Sequence, residues 1–291
     1  MTNMIARRRF GRLGLLAGLI LLATPAFADF SLINMTRGVT ESSQEIYNLH
    51  MTIFTITVVI GLGVFGAMFY SIFRHRKARG VKPAKFHHST AVEIVWTVIP
   101  LVILVGMAVP ATRVLIDLDD TSEAEMAVKI TGYQWFWGYE YMGEDVQFLS
   151  RLATDSDVAR QLDSGINPAS VPNYLQNVDR RLVLPVDTRI KFQITAADVI
   201  HSWWMPDLGW KKDAIPGFVN ETWTVIEEPG VYRGRCAELC GRDHGFMPIV
   251  VEAVEKDEYE AWLAEQQAGG EPGTTAERSA AAGAGEELAA R

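Results

Sequence analysis

Two runs without a charged side chain, Met51–Phe73 and Ile94–Thr112, limit what this chain can fold into more than any other feature. A helix needs about 20 apolar residues to cross a hydrocarbon core ~30 Å thick, and each run is close to that. Buried core helices of such length exist, but not usually as a pair around a basic loop. This loop carries Arg74, Arg76, Lys77, Arg79, Lys82 and Lys85 and no acid, whereas Arg37 is the one basic residue in 29–50. The positive-inside rule places the loop in the cytoplasm, so both ends of the mature chain are expected outside. The sequence predicts a membrane hairpin that carries an exported domain and has membrane lipid as a neighbour.

The segments follow from that frame. Residues 1–28 open on Arg7-Arg8-Arg9 and Arg12, run through an apolar stretch from Leu13 to Ala23 and reach Ala26-Phe27-Ala28. That layout is a secretory signal peptide. An exported segment (29–48), a first span (49–73), the basic loop (74–90) and a second span (91–115) come next. The exported domain, 116–265, contains short runs rich in β-branched and aromatic residues: Ala127–Thr131, Arg189–Ile194, Glu221–Ile226, Gly230–Gly234 and Pro248–Ala253. Gly, Pro and Asp clusters separate them, which predicts a sandwich or barrel of antiparallel strands. Residues 150–180 read as a long loop with one helical turn, and Lys256–Gln267 as the last helix. The tail, 266–291, is rich in Ala, Gly and Glu and is expected to be disordered.

Charge narrows the partners. The chain's net charge is −8, and residues 116–265 hold 27 acidic and 13 basic residues, a difference of −14. Nucleic acid is thereby an unsuited partner, and an acidic outer domain steers basic proteins instead.

The chemistry is concentrated in Cys236-Ala-Glu-Leu-Cys240-Gly-Arg-Asp-His244-Gly-Phe-Met247, which holds both cysteines of the chain. Thiolate, imidazole and thioether form the soft donor set that favours copper. His201, in Asp198-Val-Ile-His201-Ser-Trp-Trp, can supply a second imidazole. Two Cys, two His and one Met are too many for one small copper ion, so two coppers bridged by the sulfurs are the economical arrangement. A Cys236–Cys240 disulfide suits an oxidising compartment. A Cys2His2 zinc site leaves Met247 without a role, and a single helical face is opposed by Gly241 and Gly245. The run Tyr133-Gln134-Trp135-Phe136-Trp137-Gly-Tyr139-Glu140-Tyr141, taken as one strand, puts its odd-numbered aromatics on one face. A generic strand would bury such a stripe as core. Glu93 heads the second span, either as a helix cap or, since ionisable groups there mark such routes, on a proton path.

The run CAELCGRDHGFMP preceded by His201-Ser-Trp resembles the dinuclear copper (CuA) motif of the cytochrome c oxidase subunit II family. The resemblance continues through Lys212-Asp213-Ala-Ile-Pro-Gly217, the aromatic run, and Glu93-Ile-Val-Trp96-Thr-Val-Ile-Pro100, covering about residues 40–260. It implies a two-helix transmembrane hairpin followed by an all-β cupredoxin-like Greek-key barrel or sandwich. The implied copper ligands are His201, Cys236, Cys240, His244, Met247 and the backbone carbonyl of Glu238. The Glu238 carboxylate is implied to bind a Mg or Mn ion shared with subunit I. Trp135 is implied as the exposed residue that receives electrons, and Glu93 as the entrance to a proton channel in the neighbouring subunit. The implied partners are the haem-bearing subunit I, subunit III and cytochrome c, a small haem protein with a basic face; Gln134, Glu140 and Asp198 are the residues assigned to docking it. The implied setting is the bacterial inner membrane with the copper domain in the periplasm. A nitric oxide reductase subunit could carry a similar site. A copper-transfer membrane protein would bind through the same thiolates without needing the aromatic stripe.

Overall fold

A computed structural model describes residues 33–82 and 87–269; the expected signal peptide and nearly all of the tail lie outside them. The chain divides into two units, Met1–Thr36 and Arg37–Arg291. Of the first, only residues 33–36 are described, where the Met35 N–H donates to Asn34 Oδ1 at 2.9 Å.

Two long helices open the second unit, α1 (Glu41–Arg74) and α2 (Thr90–Asp119). By length and composition both can cross a membrane. The first begins at Glu41 rather than at residue 49, because Thr40 and Ser43 cap it reciprocally. The Ser43 N–H donates to Thr40 Oγ1 (3.0 Å) and the Thr40 N–H to Ser43 Oγ (3.1 Å), which satisfies two otherwise orphaned donors. Within the apolar part, the hydroxyls of Thr52, Thr55 and Thr57 donate to the carbonyls of Asn48, Met51 and Ile53. Polar groups without access to water are thereby satisfied inside the helix.

Ten strands follow: β1 (Met126–Tyr133), β2 (Phe136–Tyr141), β3 (Val146–Ser150), β4 (Leu182–Pro185), β5 (Ile190–Ala196), β6 (His201–Met205), β7 (Trp210–Ala214), β8 (Asn220–Thr224), β9 (Gly230–Cys236) and β10 (Pro248–Val254). Short helix α3 (Thr154–Ala159) lies in the long β3–β4 connection, and α4 (Lys256–Gln267) closes the domain. One sheet runs β3-β2-β1-β5-β8 and the other β4-β10-β9-β6-β7. Most neighbours are antiparallel, but β1 pairs in parallel with β5, and β4 with β10. A parallel neighbour requires a long crossover, and the connections between those partners supply it. This differs from the purely antiparallel pattern expected.

The core lies between the sheets. Val128, Ile130, Ile190, Phe192 and Ile194 from one face Trp203, Met205, Ile249 and Val251 from the other, all essentially inaccessible to solvent. The aromatic run is not one strand. Residues 134 and 135 form the turn between β1 and β2, so Trp137, Tyr139 and Tyr141 enter the core while Trp135 remains half-buried at the end of the sandwich.

Candidate metal centre

The donors converge because two strand ends and one loop meet at the same end of the sandwich. His201 is the first residue of β6 and Cys236 the last of β9; the two strands are antiparallel, with Trp203 opposite Cys236. The loop from Cys236 to Pro248 then returns into β10, which pairs with β9 from Pro248↔Arg235 onward. A rigid antiparallel pair thus holds both ends of the donor-bearing loop. Gly132 on β1 makes room for the imidazole, since a Cβ there would stand 2.8 Å from His201 Cδ2.

The cysteines are free, with their sulfurs 3.8 Å apart, well beyond the ~2.05 Å of a disulfide. Cys240 Sγ is 3.5 Å from His244 Nδ1 and 3.5 Å from Met247 Sδ. The ligating atoms of His201, Cys236 and Cys240 all lie within 4.8 Å of one another. The Cys236 thiol also approaches the Glu238 carbonyl oxygen at 3.3 Å, while the Glu238 side chain is exposed. All five side-chain donors and the carbonyl named from the sequence are therefore in one cluster.

Its electrostatics suit a soft cation. Burial disfavours charge on Cys236, yet the neighbouring His201 ring and the Ser202 backbone hold its thiol below the ordinary value. Burial, reinforced by the neighbouring Cys236 charge, pushes the Cys240 thiol up to about 12. Cys240 is thus the sulfur that holds its proton more tightly, and a metal that binds both must displace it. Burial likewise opposes a proton on His201, while the Cys236 sulfur and the Asp198 carboxylate raise its pKa. Asp198 Oδ1 takes His201 Nε2 at 2.9 Å, and the buried Nδ1 makes no well-formed hydrogen bond. An imidazole oriented through one nitrogen, with the other bare and buried beside two sulfurs, is the arrangement of a metal ligand. The residues present fit copper.

The surrounding shell holds Gln134, Trp135 and Asp198, which the sequence named, and Arg160, which it did not. Gln134 Nε2–H and Trp135 Nε1–H both donate to the Cys240 carbonyl, at 2.9 and 3.2 Å. That contact needs Gly241, which has φ +117° and whose Cβ would lie 3.0 Å from Gln134 Nε2. Asp198 also accepts the Gln134 backbone N–H through Oδ2 at 2.7 Å. The Trp137 indole donates to the Met247 carbonyl at 3.4 Å. Arg160, following α3, bonds Asp157 at 2.7 Å, reaches Asp243 at 3.7 Å and stacks 4.5 Å over the Phe246 ring. No local pattern identifies Arg160, because its partners are distant in sequence. Glu140 stands apart from the cluster, paired with Lys129 at 3.0 Å on the β1–β2 face. Glu93 lies in the first turn of α2, where its N–H donates to the Ser89 carbonyl.

Residues 126–254 match the family described as cytochrome c oxidase subunit II, periplasmic domain, and residues 28–114 match the transmembrane domain of the same subunit. The chain belongs to the cytochrome c oxidase subunit II family. A probable cytochrome c oxidase subunit 2 from Rickettsia bellii is 38% identical over 253 residues, 86% of this chain and 90% of the relative. The cytochrome c oxidase subunit 2 of Cereibacter sphaeroides is 38% identical over 227 residues, 75% of each chain. Among solved structures, the periplasmic domain of subunit II of the Bradyrhizobium japonicum cytochrome oxidase is 37% identical, covers 52% of this chain and 100% of its own, and has a TM-score of 0.44. As in the family, two transmembrane helices anchor a cupredoxin-like domain, in which His201, Cys236 and Cys240 could hold a metal ion.

Proposed function

We propose that this chain receives electrons from a cytochrome c and hands them to the haem-bearing subunit I of a proton-pumping oxidase, where oxygen is reduced to water. His201, Cys236, Cys240, His244 and Met247, with the Glu238 carbonyl, would hold a dinuclear copper centre. A copper pair bound there supplies a fast one-electron couple. The observation that carries the reading is the buried cluster of two free sulfurs, a bare imidazole nitrogen and a thioether.

The chain's own residues have separable tasks. Asp198 fixes the His201 ring and its tautomer. Gln134 and Trp135 bind the Cys240 carbonyl, so the Trp135 indole has a direct polar contact with the donor loop and is the surface on which a cytochrome c would deliver its electron. The exposed Glu238 carboxylate would take a Mg or Mn ion at the boundary with subunit I, hard oxygen ligand to hard cation. Glu93 would stand at the entrance of a proton path on the cytoplasmic side, with the copper domain in the periplasm of a bacterial inner membrane. Subunit III is a further partner.

The test is metal content and electron paramagnetic resonance of the detergent-solubilised oxidase. Two coppers per chain and a mixed-valence signal are expected, with Cys236→Ser and Cys240→Ser each abolishing the signal. One zinc per chain, or a persistent Cys236–Cys240 disulfide after copper addition, rules the reading out.

A further inference from the structure

One sign of charge covers the turn of the hairpin. Helix α1 stops at Arg74 and α2 starts at Thr90, and no Asp or Glu occurs from residue 46 to residue 92. Arg74, Arg76, Lys77, Arg79, Lys82 and Lys85 all lie in that interval. Every one of them within the described residues is exposed. Arg76, Lys77 and Arg79 are crowded onto one tight turn. There the Arg79 N–H donates to the Arg76 carbonyl and the Gly80 N–H, at φ +69°, to the Lys77 carbonyl, both at 3.0 Å. Like charges held this close repel one another until anions neutralise them.

The rest of the chain does not supply those anions among the described residues. The β domain holds the hairpin at Thr40 on α1 and at Asp117 and Asp119 on α2, the opposite ends of both helices. Helix α1 has 34 residues, which sets its last turn about 50 Å from that contact. The immediate neighbours of the cations are instead apolar and open. Tyr70 and Phe73 at the end of α1 and Trp96 near the start of α2 are 62%, 64% and 62% exposed. Aromatic rings at the ends of spanning helices sit at the level of the lipid headgroups, so the cations beside them face that layer. A leaflet of anionic headgroups neutralises all of them at once, whereas a protein interface needs an acid set against each flexible side chain.

We propose that residues 74–85 form a binding surface for anionic phospholipid headgroups of the cytoplasmic leaflet, which pin that end of the hairpin. The surface depends on the membrane orientation given above and not on copper.

The assembled oxidase, reconstituted in phosphatidylcholine bilayers, tests it with two photoactivatable probes, a phosphatidylglycerol and a phosphatidylcholine. In the unaltered protein, the phosphatidylglycerol should label residues 70–82 several-fold more than the phosphatidylcholine, and the preference should shrink as salt is raised. Combined Arg76→Gln, Lys77→Gln and Arg79→Gln should erase the preference. Arg76→Lys with Arg79→Lys should keep it, since the headgroup layer responds to charge rather than to the guanidinium fork. The copper spectrum should be the same in all of these proteins. Equal labelling by the two probes in the unaltered oxidase, or a preference that survives the glutamine exchanges, overturns the proposal. So does cross-linking of Ala78→Cys to a neighbouring subunit that shields the loop from both probes. A wrong membrane orientation reads differently: Ala78→Cys would then react with an impermeant thiol reagent added from the periplasmic side.

Discussion

Trp135 and Trp137 are neighbours in sequence with opposite environments, and the contrast can be measured. Trp137 is fully buried, donates to the Met247 carbonyl and sits edge-on to His201 with ring centroids 5.9 Å apart. Replacing it with Phe removes that bond and leaves a small void, a loss of about 1–3 kcal/mol. For a domain of this size, that lowers the melting temperature by about 2–4 °C per kcal/mol. Trp135 is half-buried in the β1–β2 turn, with one face under Arg242 and its N–H on the Cys240 carbonyl. Trp135→Phe should cost no more than about 1 kcal/mol, since Gln134 still donates to the Cys240 carbonyl, and leave the copper spectrum nearly unchanged while the rate of copper reduction within the cytochrome complex falls sharply. Rapid-mixing reduction and a melting curve on both variants check this. Destabilisation of Trp135→Phe as large as that of Trp137→Phe, with an unchanged transfer rate, would return the residue to the core and leave the electron-receiving point unassigned.

Among the elements, the donor loop shows what was readable in the sequence and what was not. Cys236, Cys240, His244 and Met247 are read from one short stretch because consecutive loop residues supply them. Helix α4 is equally legible: Tyr259 and Trp262, three apart, are its buried residues, and the acids Asp257, Glu258, Glu260 and Glu265 are exposed. Strands β6 and β7 are not, since His201–Met205 is buried on nearly every residue and Trp210–Ala214 carries three charged residues among five. Alternation, the usual strand signal, fails in both. The break at Gln134–Trp135 is hidden by the aromatic run, whose period of two continues unchanged across the turn. Arg160 was illegible for another reason, as it acts across space: from the end of α3 it reaches Asp243 and Phe246, on either side of His244. Arg160→Met keeps much of the side-chain volume but removes the ion pair and the cation–π contact, worth about 0.5–2 kcal/mol together with partial desolvation. The metal-free protein should then exchange the amides of residues 243–247 several-fold faster, and the loaded protein should lose copper to a chelator sooner. Unchanged exchange in that segment would show that β9 and β10 alone hold the loop.

On the scale of the whole molecule, the β domain is tied to one end of each membrane helix. At α1, the Thr40 hydroxyl donates to the Leu208 carbonyl (3.2 Å), and Val39 N–H to the Asp207 carbonyl (2.9 Å). At α2, the last turn carries Asp117 and Asp119, the wrong sign for the negative end of a helix dipole. The β domain compensates with cations and donors. Lys212 reaches Asp119 at 3.4 Å, the Arg189 guanidinium donates to the Asp120 carbonyl at 2.8 Å, and the Trp223 indole donates to the Asp117 carbonyl at 2.8 Å. Arg189 also lies 3.6 Å over the Trp223 ring, so the two residues act as one block against the helix end. Trp223→Phe keeps a ring under Arg189 and removes the indole donor, a cost of about 1 kcal/mol for one hydrogen bond. The effect should be local. Amide exchange in the last turn of α2 should quicken, and spin labels on α2 and on the outer face of β8 should report a broader distance distribution, with the copper spectrum unchanged. Loss of the copper signal, or collapse of the whole β domain, would mean that Trp223 supports the sandwich itself. Unaltered exchange and distances would instead assign the orientation of the β domain to the α1 contacts at Thr40 and Val39.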